Sequence, residues 1–194
     1  MDLQKIGVKL YASDGDRPPL QDFVPVLHRW IQESRLEGTL IDVVDYRHVQ
    51  RGPGVMLVGS DFHVSLGDDG GGRGISVDWK RPLEGDSARR IGRVLALALD
   101  AAIALEAEAL AGNPVRFDGR RLDLRAGDRI LTPNDDATWA SFRTVVEDAI
   151  GPLIPASRMS LDRHPDGRRP LTARFAVAPA FDLRTVRDRL AATS

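Results

Sequence analysis

The chain has no cysteine, and that one absence excludes disulfides, thiolate metal sites and cysteine nucleophiles together. Lysine is nearly as scarce, with three residues against 24 arginines. Such an imbalance reads as a coding bias rather than as a phosphate-binding composition. The first residues, "MDLQKIGVKLYASDGDRP", hold no continuous apolar run, so no secretory signal is expected. The most apolar stretch, "VLALALDAAIALEAEAL", is interrupted by Asp100, Glu106 and Glu108, which argues against a membrane span. A strong charge of one sign is missing too. The net charge is −1, which gives no general pull toward nucleic acid or membrane. It hides an asymmetry, because residues 115–194 carry 14 arginines against 11 acidic residues, leaving the remainder at −4. Together these absences point to a soluble, cytoplasmic protein with no expected cofactor or metal.

What is present is the pattern of an ordinary globular chain, 42% hydrophobic and 28% charged over 194 residues. "KIGVKLYA" alternates as a strand, with Ile6, Val8 and Leu10 on one face. "DGDRPP" reads as a turn. In "LQDFVPVLHRWIQE", Leu20, Phe23, Val24, Leu27, Trp30 and Ile31 fall at helical spacing. With Asp22 as N-cap, Pro25 lies in the first turn, where it removes no needed hydrogen bond. "TLIDVVDY" is the next strand, and the unbroken apolar "VMLVG" predicts a central strand covered on both faces. "DFHVSL" and "ISVDW" then alternate around the glycine-rich "GDDGGG" as a hairpin with a loose tip. Setting Phe62 opposite Trp79 places His63 opposite Asp78 on the outer face and Val64 opposite Val77 on the inner one.

A long helix is predicted from Ser87 to Ala111, stopped by Gly112-Asn113-Pro114. Beyond it, "VRF", Asp118-Gly119 and "RLDLR" read as a tight hairpin, and "DRIL" as a short strand. A helix with Trp139, Phe142, Val146 and Ile150 inward follows. "RMSLDRH" and "LTARFAV" make another hairpin, and Asp182 caps a last helix. The fold class is therefore α+β, with two βαββα-type halves and largely antiparallel sheet. The first half, residues 1–114, is ferredoxin-like in element order with an extra hairpin. The second spans residues 115–194, and the two are open to being one composite domain.

Candidate chemistry is sparse. Asp42 and Asp45 lie on opposite faces of one strand, so they do not form an acid–base pair. Asp45 suits a turn beside "RGPG", whereas Tyr46 and His48 share a face at the strand's end, placed to orient a ligand. His63 beside Asp78 is the local pair expected to favour a protonated, oriented imidazole. On an exposed face the same pair is an ordinary cross-strand contact. No nucleophile accompanies it. The four histidines show no metal-ligand spacing, and "GDDGGGRG" joins two strands rather than a strand and a helix, so it is no phosphate loop. "RHPDGRRP" with Arg120, Arg121, Arg158 and Arg174 forms a basic patch without interleaved aromatics. RNA-binding sheets stack bases on exposed aromatics, so nucleic acid is not an expected partner, and an acidic protein surface suits these arginines equally well.

The run "FVPVLHRWIQ … LIDVVDYRHVQRGPGVMLVG" resembles a group of uncharacterised bacterial proteins of similar length. The resemblance is best over residues 20–59 and implies a bacterial, soluble chain with no activity attached. The leading expectation is a non-enzymatic homo-oligomeric module that binds a protein or small ligand through a sheet face or edge. The alternative is an enzyme with a dispersed acid–base site around Tyr46, His48 and His63.

Overall fold

Period-two alternation builds this molecule. The computed structural model describes residues 1–13, 15, 18–50, 52–68, 71–108, 110 and 114–193. The stop at Gly112-Asn113, half of the "DGDRPP" turn and the tip of "GDDGGG" lie outside them. Eight strands form: β1 (Ile6–Ala12), β2 (Leu40–Asp45), β3 (Val55–Gly59), β4 (Phe62–Asp68), β5 (Arg73–Trp79), β6 (Phe117–Ala126), β7 (Met159–Arg163) and β8 (Leu171–Val177). Four α-helices connect them: α1 (Phe23–Gln32), α2 (Ser87–Glu106), α3 (Asp136–Ile150) and α4 (Leu183–Thr193). The result is a mixed α+β fold on one antiparallel sheet, ordered β2-β3-β4-β5-β1-β6-β8-β7. The sheet runs without a break through both expected halves, because β1 pairs with β6.

Side chains on one face of every strand enter a single core. Val8 and Leu10, Val64, Val77, Leu122, Leu124 and Phe175 are buried there with Trp30 and Leu27 of α1 and Val94, Leu95 and Ala98 of α2. α2 lies against β1 and β5, α1 against β2 and β3, and α3 against β8. A fully buried large apolar side chain contributes about 1.5–3 kcal/mol, so this face holds the sheet flat against its helices. The opposite face carries no helix among the described residues.

Local signals explain where the elements begin and end. Asp86, Asp135 and Asp182 accept the backbone N–H groups of Arg89 at 2.8 Å, Thr138 at 2.8 Å and Thr185 at 2.7 Å, which starts three of the helices. α2 ends at Glu106, earlier than its apolar stripe suggests. The Glu106 carboxylate accepts the N–H of Phe117 at 2.8 Å, and its carbonyl accepts from Arg116 at 2.8 Å. The helix end thus grips the start of β6.

Three expectations are corrected. Asp118-Gly119 does not turn the chain back. It lies inside one ten-residue strand, where Gly119 has φ +57° and its carbonyl accepts the N–H of Phe181 at 2.9 Å. "DRIL" is not a strand, because Asp128 gathers the N–H groups of Ile130 at 3.1 Å and Leu131 at 3.3 Å into a turn. "VMLVG" is next to the sheet edge and covered on one face only, with Met56 and Val58 half-buried on the other. The hairpin of β4 and β5 does hold the expected register, Phe62 opposite Trp79 and His63 opposite Asp78.

Candidate functional site on the open sheet face

The uncovered face is assembled from the residues that alternate with the core. Cross-strand pairing sets them in rows. One row runs Asp42, Val58, His63, Asp78, Gly7, Arg125, Thr172. The next runs Val44, Met56, Ser65, Ser76, Lys9, Asp123, Arg174, Asp162. The β2–β4 side is uncharged apart from Asp42 and His63, and the β6–β7 side is crowded with charge.

At the centre the long polar side chains lie flat and seal the sheet. Lys9 is 3% exposed although it faces away from the core. Its ammonium donates to the Gly72 carbonyl at 2.8 Å and sits 4.7 Å from the centre of the Tyr11 ring. Tyr11, also 3% exposed, donates its hydroxyl to Asp123 at 2.7 Å, while the Arg121 guanidinium stacks 4.3 Å from the same ring. The Gly72 carbonyl, in the described part of the glycine-rich loop, is thereby tied to this face, and the tip expected to be loose lies outside the described residues. Beside this cluster, Arg125 donates to Asp78 at 2.5 Å across Gly7. A groove of about 260 Å³ opens there, lined by Lys5, Gly7, Asp78, Trp79, Lys80 and Gly127.

The four residues singled out from sequence fall into two places. His63 and Asp78 are directly paired across β4 and β5. Tyr46 and His48 lie beyond the far end of β2, where the Tyr46 N–H donates to Gly54 at 2.7 Å and His48 is exposed in a turn. Four residues along the sheet and two strands across it, roughly 13 Å by 10 Å, separate these pairs. Neither the groove nor the apolar recess lined by Ala12, Leu20, Phe23 and Phe117 contains two of the four side chains.

The electrostatics of His63 also differ from expectation. Burial pushes its pKa down, the charge of Lys80 adds to that, and Asp78 opposes them without prevailing. Its Nδ1 is buried with no partner among the described residues. Asp78 gives its carboxylate to Arg125 instead. His164, on the same face beyond β7, is lowered by burial and then by Arg169 and Arg174. Its Nδ1 accepts the Asp166 N–H at 3.2 Å, so the neutral ring carries its proton on Nε2. At the other end of the sheet Arg47 holds the Asp45 carboxyl down to about 2.

Several arginines of the basic patch are engaged locally. Arg158 donates to the carbonyls of Pro179 at 2.8 Å and Ala180 at 3.2 Å, Arg168 pairs with Asp166 at 3.1 Å, and Arg121 with Asp118 at 3.5 Å. No cluster of three or more metal-ligating side chains occurs among the described residues, and no helix there is long and apolar enough to cross a membrane.

Sequence reading missed Lys9, Tyr11, Asp123 and Arg125. The alternation around Ile6, Val8 and Leu10 already placed Lys9 and Tyr11 on the second face. Their partners on β6 are more than a hundred residues away, and no local pattern marks that pairing. No protein-family model matches the chain, and no curated protein matches it.

Proposed function

We propose that this chain is a non-enzymatic, cytoplasmic binding module that assembles with copies of itself and presents its open sheet face to a protein or small ligand. The observation that carries the reading is one-sided helix packing: eight strands, with the described helices on one face and a polar second face. A sheet of this size left open on one side, with two unpaired edges, is suited to assembly. The central lattice of Lys9, Tyr11, Arg121 and Asp123 supports a fixed recognition surface, since each group is already held by a neighbour.

The finer architecture belongs to the same proposal. β5 pairs with β1 as β8 pairs with β6, so β1-α1-β4-β5-α2, with β2 and β3 rather than the expected β4 and β5 as the added hairpin, and β6-α3-β7-β8-α4 are two copies of one βαββα unit. They meet at the antiparallel β1–β6 pair. The enzyme reading needs Tyr46, His48 and His63 to act together, and their separation on the sheet weighs against it.

Native mass spectrometry of the purified chain tests the reading. A symmetric multiple of the 21.3 kDa chain is the expected result. A species of one chain at every concentration contradicts self-assembly.

A further inference from the structure

The sheet has two edges, and they are built differently. On β2 the register shifts between Leu40 and Asp42, leaving Ile41 as an irregularity. The Asp42 carboxylate then accepts the N–H of Val43 at 2.8 Å, occupying a group that points off the edge. Asp45 adds a second carboxylate to this six-residue strand. A shifted register, a self-capped N–H and two like charges all oppose strand addition.

β7 has a capped N–H only at its first residue, Met159, which donates to Ala156. Its register with β8 is unbroken from Met159–Val177 to Arg163–Ala173. The Ala178 N–H donates to Arg158, and the His164 N–H to Thr172, so the even-numbered residues bond to β8. By the alternation of an antiparallel ladder, the N–H and C=O groups of Met159, Leu161 and Arg163 point away from the sheet. The Met159 N–H donates to the Ala156 carbonyl of the preceding turn, and no hydrogen bond from the N–H groups of Leu161 and Arg163 occurs among the described residues.

We propose that β7 is the assembly edge and that its occupant is a second copy of this chain, paired β7 to β7, antiparallel, about a two-fold axis at Leu161. The inference rests on the self-assembly in the reading above and names its surface. The sequence "MSLDR" is complementary to itself in this register. Leu161 meets Leu161 of the second copy, Met159 meets Arg163, and on the open face Ser160 meets Asp162, hydroxyl to carboxylate. All five residues of the strand then lie opposite a residue of the second copy, and the outward N–H groups of Leu161 and Arg163 find partners there. An axis at Asp162 is disfavoured because it opposes two carboxylates, and an axis at Ser160 leaves Asp162 and Arg163 beyond the paired segment. The joined sheets keep their helices on one side and extend the open face across the axis.

Sedimentation velocity on the full chain, over a range of concentrations, tests this. Ser160 is exposed on the open face, so changing it leaves the core alone. Ser160→Asp sets a carboxylate against Asp162 twice and is expected to weaken the dimer about tenfold or more, while Ser160→Lys tightens it. Unchanged thermal melts confirm that both variants fold. Because the chain has no cysteine, Leu161→Cys introduces a unique thiol. Hydrogen-bonded cross-strand neighbours sit about 5.5 Å apart at Cα, within disulfide range, so mild oxidation is expected to give a covalent dimer. A dimer indifferent to both charge changes, with Leu161→Cys failing to cross-link, overturns the β7 assignment and leaves self-assembly standing. A monomer at every concentration overturns both.

Discussion

Asp78 and Arg125 meet at 2.5 Å although their strands, β5 and β6, are not neighbours. β1 lies between them, and the contact exists because residue 7 is glycine. A Cβ there would stand 2.4 Å from the Asp78 carboxylate and 2.9 Å from the Arg125 guanidinium. Gly7→Ala is therefore expected to break this bridge at modest cost, about 1 kcal/mol, because both obstructing groups are side-chain ends that can swing away and the pair is partly exposed. Gly119→Ala is the harsher change. Its Cβ would lie 2.0 Å from the Phe181 carbonyl, on backbone at φ +57°. We expect a loss of about 2–4 kcal/mol. Urea denaturation of the two variants orders them.

Glu108 anchors the end of the chain's long central helix to α1. Its carboxylate accepts the indole N–H of Trp30 at 2.7 Å and also takes Arg29. Trp30 is fully buried. Glu108→Ala leaves that N–H without its acceptor and is expected to cost about 1–3 kcal/mol, whereas Glu108→Gln, which keeps an oxygen there, recovers most of it. Thermal or urea denaturation distinguishes the two, and equal losses contradict the hydrogen-bond account.

Much of this was legible in the sequence where the partners are near one another. The β4–β5 register could be read because alternation on both faces and a short loop leave one consistent pairing. The helix start at Asp182 is visible as an acidic residue ahead of an apolar stripe. Asp118-Gly119 misled because its positive φ, a hairpin signal elsewhere, here bends a strand so that Gly119 can receive Phe181. "DRIL" misled because Ile130 and Leu131 look like core residues, yet the Asp128 turn leaves them 90% and 69% exposed. The open-face cluster was invisible because β1 finds β6 only through the tertiary fold. The sequence places Asp78 beside His63, which favours the protonated ring, but does not place Arg125, which takes that carboxylate.

The acid end of the pH range tests the β2 turn. Arg47 donates to Asp45 through its side chain at 2.6 to 2.9 Å and through its backbone at 3.0 Å, holding that carboxyl near 2 against its ordinary 3.8. A lowered folded pKa contributes stability that is present above 3.8 and lost as pH falls through about 2. Arg47→Ala is expected to return the Asp45 titration, followed by carboxyl NMR, toward 3.8. An unchanged titration contradicts the pairing.

His63 sets a window near neutrality. Its folded pKa lies below the ordinary 6.5 because burial disfavours the charged ring, with Lys80 adding to the effect and Asp78 opposing it. The unfolded chain therefore takes up protons first. The associated stability is complete above 6.5 and declines as pH falls below it toward the folded pKa. His63→Gln is expected to flatten the fall in stability between pH 7.5 and 5.5, leaving the share contributed by His164. A variant whose stability falls as steeply as the parent's assigns that slope elsewhere.

The central claim, that a second copy of the chain covers β7, is tested most directly by residue-resolved amide exchange at low and high protein concentration. The N–H groups of Ser160 and Asp162 face β8 and should be protected throughout. Those of Leu161 and Arg163 should exchange fast in dilute protein and become protected as concentration rises. Fast exchange at those two residues at every concentration would contradict the account.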